Sequence, residues 1–167
     1  KERVELLLKN NIQPGLAAIL VGENPASKIY INMKTKKFHR LGLKTQTFKL
    51  SIDCSQTDLI QVIEKINNDS SFHGILVQLP LPNHIDSNSI INSIRPEKDV
   101  DGFHPVNAGL LSIGTPRFIP CTPKGIMKIL EYYKVNLRGK HVVVLGRSNI
   151  VGRPISILTS LKTKGAN

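Results

Sequence analysis

Tryptophan is absent from the 167 residues, and phenylalanine and tyrosine bring the aromatic share to only 5%. Any core must therefore be mainly aliphatic. Cysteine is equally scarce: Cys54 and Cys121 stand far apart and outside any C-x-x-C spacing. That excludes a disulfide framework and argues against a zinc site, so no metal is expected and a reducing, intracellular setting fits best. No apolar run exceeds Leu16 to Val21, far short of the roughly 20 residues that cross a bilayer, so no membrane partner is expected. No signal-peptide pattern is present either. The expected compartment is the cytoplasm, or the mitochondrial matrix if a targeting segment preceded Lys1. With 40% hydrophobic and 21% charged residues, the chain can still bury a core, which excludes wholesale disorder.

Acidic residues are the other shortage, 12 against 23 lysines and arginines, for a net charge of +11. Such an excess first suggests nucleic acid. Its placement argues otherwise. Residues 28–49 hold seven cations and no acid, residues 50–101 hold three cations and eight acids, and residues 102–167 hold ten cations and one acid. Two basic blocks separated by an acidic one suit two separate anion sites as readily as one continuous face. The aromatics that would interleave a single-strand platform are missing, with only Phe38 and Phe48 near the first block.

Strand-like and helix-like stretches alternate along the chain. Residues 3–11 suit a short amphipathic helix, and Gly15 to Val21 reads as a strand buried on both faces. Ser27 is placed to cap a helix to about Leu41, with Gly42 just beyond its end. Leu43 to Leu50 reads as a strand, Ser55 to Asp58 opens a helix to about Asn68, and His73 to Leu79 is a third strand before Pro80-Leu81-Pro82. A short helix near Ser87–Ser93 follows. Residues 95–122 are rich in Pro, Gly and Asn and carry little periodicity. Thr122-Pro123 suits the start of a helix to about Tyr133, His141 to Leu145 is a strand, and a last helix starts near Arg153-Pro154. This β-α-β order predicts parallel, doubly wound sheets.

Four constellations could carry chemistry. Tyr30 and Lys34 lie one helical turn apart on one face, beside a stripe of Ile29 and Met33 expected to face the core. A stacking ring next to an amine that could act as a base is one reading; a solvated basic face continuing through Lys36, Lys37 and Arg40 is the other. Gln78 ends the third strand, on the edge where parallel sheets bind ligands, although it could equally tie down the loop backbone. Asp99 and Asp101 in Lys98-Asp-Val-Asp-Gly-Phe-His-Pro105 could bind a metal, accept hydrogen bonds from a ligand, or form Asx-turns, with metal the weakest option. His104, before a proline, reads as structural. Gly146-Arg147-Ser148 to Val151-Gly152 lies between strand and helix, where glycine loops present N–H groups to phosphate. It departs from G-x-G-x-x-G, with Ser148 and Val151 at glycine positions. Arg147 would suit an extra phosphate, and a plain strand-to-helix turn is the alternative.

Taken together, the segments 21–34 (VGENPASKIYINMK), 74–82 (GILVQLPLP), 96–111 (PEKDVDGFHPVNAGLL), 120–126 (PCTPKGI) and 146–154 (GRSNIVGRP) resemble the bifunctional methylenetetrahydrofolate dehydrogenase/methenyltetrahydrofolate cyclohydrolase (FolD-type) family, in its order and spacing. The resemblance implies an α/β chain: a three-layer parallel-sheet substrate domain over 1–120, followed from 121 to 167 by an incomplete Rossmann-like nucleotide-binding domain, with folate in the cleft between them. It implies NADP- (or NAD-) dependent oxidation of methylenetetrahydrofolate to the methenyl form, and hydrolysis of that to 10-formyltetrahydrofolate. Tyr30 would stack on the folate rings, Asp101 would accept hydrogen bonds from the pterin, and Lys34 with Gln78 would serve hydrolysis. Gly146, Arg147, Ser148 and Gly152 would hold the nucleotide.

The same resemblance implies a homodimer at full length, no metal and no nucleic-acid partner. By the family's pattern the chain is truncated at both ends, and alone it is not expected to hold the nicotinamide cofactor or turn over. Two rival readings are a shikimate dehydrogenase-like NADP enzyme and a non-catalytic basic nucleic-acid-binding module. The Tyr30, Lys34, Gln78 and Asp101 set argues against the first; the second is supported only by the charge and lacks the interleaved aromatics.

Overall fold

Gly15–Val21 is buried along its whole length and organises the first of two compact units, Lys1–Lys98 and Asp99–Asn167. The computed structural model describes residues 2–162 and 165. In chain order the first unit runs α1 (Glu2–Lys9), β1 (Gly15–Val21), α2 (Pro25–Arg40), β2 (Lys44–Leu50), α3 (Gln56–Asn68), β3 (Gly74–Val77) and α4 (Ser87–Ser93). β1 pairs in parallel with β2 on one side and β3 on the other, so Leu16 lies opposite both Thr45 and Gly74.

With both edges paired and helices on both faces, every β1 side chain meets protein, which is why its sequence is an unbroken apolar run. Alternation sorts the residues. Ala17, Ile19 and Val21 join Leu59, Ile63 and Ile66 of α3, Ile75 and Val77 of β3, and Ile90 of α4, while Ala18 and Leu20 join Ile31 of α2. The result is a three-layer α/β unit. β1 must start on glycine, because a Cβ at Gly15 would stand 2.0 Å from the Ser71 carbonyl oxygen.

The strand ends are held by capping groups. Asn24, not Ser27, caps α2: Pro25 takes the first helical position, and Asn24 Oδ1 accepts from the Ser27 N–H at 3.0 Å. Ser55 and Asp58 form a capping box on α3, as expected. Lys98 Nζ donates to the carbonyls of Ile66 and Asp69 at 2.9 and 2.8 Å, closing the C-terminus of α3. Its own carbonyl accepts from the Ile75 N–H at 2.7 Å, so this segment covers the open edge of β3. Burial, aided by nearby Arg95, holds the Lys98 ammonium below the usual lysine range.

The second unit contains α5 (Pro105–Ser112), α6 (Cys121–Tyr132) and α7 (Gly152–Ser160), with α5 and α6 both packed on α7 through a core that includes Leu111, Ile155 and Leu158. α5 is unexpected; it lies inside the stretch whose Pro and Gly content reads as loop. α6 begins slightly earlier than Thr122-Pro123 suggests. The first helical bond is Lys124 N–H to the Pro120 carbonyl, so Pro123 still sits where no N–H is needed. The expected strand at residues 141–145 is not formed. Val143 is 70% and Leu145 96% exposed, and among the described residues no segment pairs with them. An apolar β-branched run becomes a strand only when a neighbouring backbone completes its hydrogen bonds. Among the described residues, no helix is long and apolar enough to cross a membrane.

α1, α2, α5 and α6 end in the same way, the third N–H past each helix reaching back to a carbonyl five residues earlier: Ile12 to Leu7, Leu43 to Phe38, Thr115 to Leu110 and Val135 to Leu130. The residue in the left-handed position is Asn11, Gly42, Gly114 and Lys134 respectively. Lys134, at φ +56°, is the costly choice. Lys134→Gly should therefore raise stability by about 1 kcal/mol, read as a higher urea midpoint at unchanged slope. The caps also set an acid limit. Hydrogen bonds from Ser55 hold Asp58, and those from Ser89 and Asn88 hold Asp86, below the usual carboxylate range. Depressed folded-state values mean that this stabilisation is complete above the unfolded value of about 4 and is lost as pH falls through the lower folded one. Asp86→Asn should lower the melting temperature at pH 7, and its gap from the unsubstituted chain should narrow in melts below about pH 4.

Candidate functional site

α2 leaves the carboxyl end of β1 through Gly22 (φ +75°), whose N–H donates to the Leu50 carbonyl at 3.0 Å. Only Ser27 and Ile31 of the helix are buried, so its inward stripe is narrow. Ile29 and Met33 do not face the core as expected; they are 59% and 63% exposed. Each is two residues from Ile31, roughly 200° around the helix, which puts both on the outer side. Tyr30 is exposed and Lys34 half-buried on the same turn-separated stripe. Among the described residues no hydrogen bond or ion pair engages either side chain, whereas Lys28 nearby is paired with Glu23.

Gln78 prolongs the β1–β3 ladder, its N–H donating to the Ile19 carbonyl at 2.9 Å. Its side-chain Nε2 donates to the Leu79 carbonyl at 2.8 Å, so the amide does tie down the loop. The amide is thereby oriented, with Oε1 left as the acceptor. Both α2 and Gln78 thus start from the carboxyl edge of the sheet, where parallel sheets bind ligands.

In the second unit, Asp99 and Asp101 have different surroundings. Asp99 is 2% exposed, and its Oδ2 accepts from the His104 N–H and from Asn107 Nδ2, both at 2.8 Å. Asp101 is half-buried in the turn that follows. Gly102 closes that turn, its N–H donating to the Asp99 carbonyl at 3.2 Å. His104 is structural as expected, its Nδ1 accepting from the Val106 N–H at 3.1 Å to cap α5. Asp99 is the site residue that sequence reasoning left undecided. The signal was present: Asp at the first and Gly at the fourth position of a tetrapeptide is the signature of a type I turn.

The Gly146–Gly152 loop is tightly wound. A Cβ on Gly152 would lie 2.4 Å from the Gly146 carbonyl oxygen, and Gly146 adopts φ +137°. Ser148 Oγ accepts from the N–H groups of Val151 and Gly152 at 3.1 and 3.2 Å, closing the turn at the start of α7, while Arg147 is exposed. A nearby hollow of about 580 Å³ in this unit is lined by Met127, Leu130, Val135, Leu137, Leu158 and Leu161 and includes none of the expected site residues. Cys54 offers no nucleophile: burial, reinforced by Asp58 and Asp53, raises its thiol above the usual range.

Residues 1–101 match the family model described as tetrahydrofolate dehydrogenase/cyclohydrolase, catalytic domain, and residues 120–166 match the NAD(P)-binding domain of the same family. The bifunctional protein FolD of Chlamydia trachomatis is 52% identical over 157 residues, covering 90% of this chain and 55% of the relative. That of Enterococcus faecalis is 52% identical over 159 residues, 95% of this chain and 57% of the relative. The chain therefore spans little more than half the length of these relatives. Among solved structures, FolD from Campylobacter jejuni aligns with a TM-score of 0.90 at 47% identity, over 93% of this chain and 56% of that one. The Trypanosoma brucei enzyme, solved with NADP and an inhibitor, aligns with a TM-score of 0.90 at 37% identity, over 94% and 54%. The chain belongs to the tetrahydrofolate dehydrogenase/cyclohydrolase family.

Proposed function

We propose that this chain carries the folate-processing residues and the first nucleotide loop of a one-carbon enzyme. That enzyme oxidises methylenetetrahydrofolate to the methenyl form with NADP, or NAD, and hydrolyses the product to 10-formyltetrahydrofolate. The observation that carries the reading is Lys34. It is half-buried, one turn from Tyr30, uncommitted among the described residues, and inside the segment matched by the catalytic-domain model.

Tyr30 offers an exposed ring on which a flat heterocycle can stack, and Asp101 accepts hydrogen bonds from the pterin N–H groups. Water adds to the cationic methenyl carbon while Lys34 takes its proton. That proton passes to N5 as the carbon–N5 bond opens, and the added hydroxyl releases its remaining proton to solvent as it becomes the formyl oxygen, leaving the formyl group on N10. Gln78, with Nε2 held by the Leu79 carbonyl, presents Oε1 to orient the amine.

Gly146, Arg147, Ser148 and Gly152 would hold the nucleotide. The loop fits one, since its glycines leave the backbone bare on a turn before a helix and Arg147 adds an exposed cation. When bound, the nicotinamide supplies the hydride acceptor, and the protein's contribution to that step is alignment. The family resemblance likewise supports a homodimer in the longer polypeptide and a cytoplasmic location.

In a polypeptide carrying the remaining length of its relatives, Lys34→Met should slow methenyl hydrolysis by about 10²–10⁴-fold while folate still binds. Unchanged hydrolysis, followed by loss of methenyl absorbance, refutes the role of Lys34. Asp101→Ala should weaken folate by about tenfold or more in calorimetric titration and leave nucleotide affinity unaltered. Equal losses for both ligands would identify a folding defect instead.

A further inference from the structure

We infer that Asp99 is a positioning residue: it holds the turn that presents Asp101, so folate affinity depends on a side chain too deeply buried to touch the ligand. The inference rests on the reading of Asp101 given above. Four observations carry it. Asp99 is 2% exposed. A single carboxylate oxygen, Oδ2, accepts from both the His104 N–H and Asn107 Nδ2 at 2.8 Å. The Asp99 carbonyl accepts from the Gly102 N–H at 3.2 Å, which fixes residues 100 and 101 as the two central residues of the turn. Gly102, at φ +71°, lies so close to residues 118–120 that an added Cβ would stand 3.3 Å from Pro120 Cδ and 3.4 Å from the Phe118 carbonyl oxygen.

The turn is thus clamped at both ends. On one side Asp99 is tied to the cap and first turn of α5; on the other, Gly102 is pressed against the chain leading into α6. The backbone that carries Asp101 is thus held in place before a ligand arrives, which lowers the ordering cost of binding. Removing the carboxylate leaves a buried N–H and a buried amide without their shared acceptor, and the turn must rearrange to satisfy them.

Isosteric asparagine separates tethering from charge, because its one carbonyl oxygen can stand where Oδ2 stands and accept both donors. The test is calorimetric titration with 5-formyltetrahydrofolate of a polypeptide carrying the remaining length of the relatives, below the melting temperature of every variant, alongside the amide resonance of Gly102. Asp99→Ala should lose roughly tenfold in affinity and shift the Gly102 resonance, whereas Asp99→Asn should keep affinity within about threefold. Leu111→Ala, a core truncation on the same helix, should lower the melting temperature and leave affinity intact. Asp99→Ala binding like the unsubstituted chain, or Leu111→Ala losing as much as Asp99→Ala, overturns the inference. So does an Asp99→Asn variant as weak as alanine. Asp101→Ala is the arm that distinguishes the two claims. If it binds normally, the folate reading of Asp101 fails and this inference falls with it. If it binds weakly while Asp99→Ala binds normally, only the inference falls.

Discussion

The burial of β1 on both faces and along both edges is the constraint from which the first unit follows. A seven-residue strand with no solvent side can be satisfied only by parallel neighbours and by a helix layer above and below. The layer formed by α2 meets the small alternate set Ala18 and Leu20, so it needs little apolar surface of its own, and Ser27 with Ile31 suffices. One flank of α2 is then free to carry Tyr30 and Lys34. The opposite layer is the thick one, built by α3 and α4 on Ala17, Ile19 and Val21. The heavy packing thereby lies on one face of the sheet, and the exposed ring of Tyr30 and the half-buried Lys34 lie on the helix that covers the other.

In the second unit the comparable part is played by oxygens that each gather two N–H groups at the start of a helix. Asp99 Oδ2 does so ahead of α5, and Ser148 Oγ ahead of α7. Each lies in a loop with a closely packed glycine: a Cβ would crowd Pro120 at Gly102, which also holds φ +71°, and would clash with the Gly146 carbonyl at Gly152. Helix capping in this unit therefore does more than satisfy backbone donors. It fixes the shape of the two loops that carry Asp101 and Arg147.

How far the sequence revealed this depends on how local each signal is. The strand Gly15–Val21 and the capping box Ser55/Asp58 are read from a few adjacent residues, and both form as expected. Ile29 and Met33 lie outside the core because each stands roughly 200° around the helix from Ile31, which with Ser27 sets the inward side. Ser27 is not the α2 cap, because Pro25 takes the first helical position and makes Asn24 the cap. α5 was hidden by composition, since His104-Pro105 opens a helix within a run otherwise typical of loops. The choice between metal, ligand and turn for Asp99 needed burial, which no short motif reports.

The segment 141–148 sets the two kinds of information side by side. His141 to Leu145 has the composition of a buried strand, yet Val143 and Leu145 stay largely exposed, Val142 and Val144 are only half-buried, and the segment is unpaired among the described residues. The loop immediately after it is closely formed all the same. Gly152 packs onto the Gly146 carbonyl and Ser148 collects its two N–H groups, all within seven residues. Strand formation is a collective property, because each residue's backbone groups need a neighbour that its own sequence cannot supply. A capped glycine turn is a local one. The Gly146–Gly152 loop can accordingly take its shape from its own residues without the pairing of the segment that precedes it. That is the physical reason a short motif can mark such a loop even where the sheet around it is not defined.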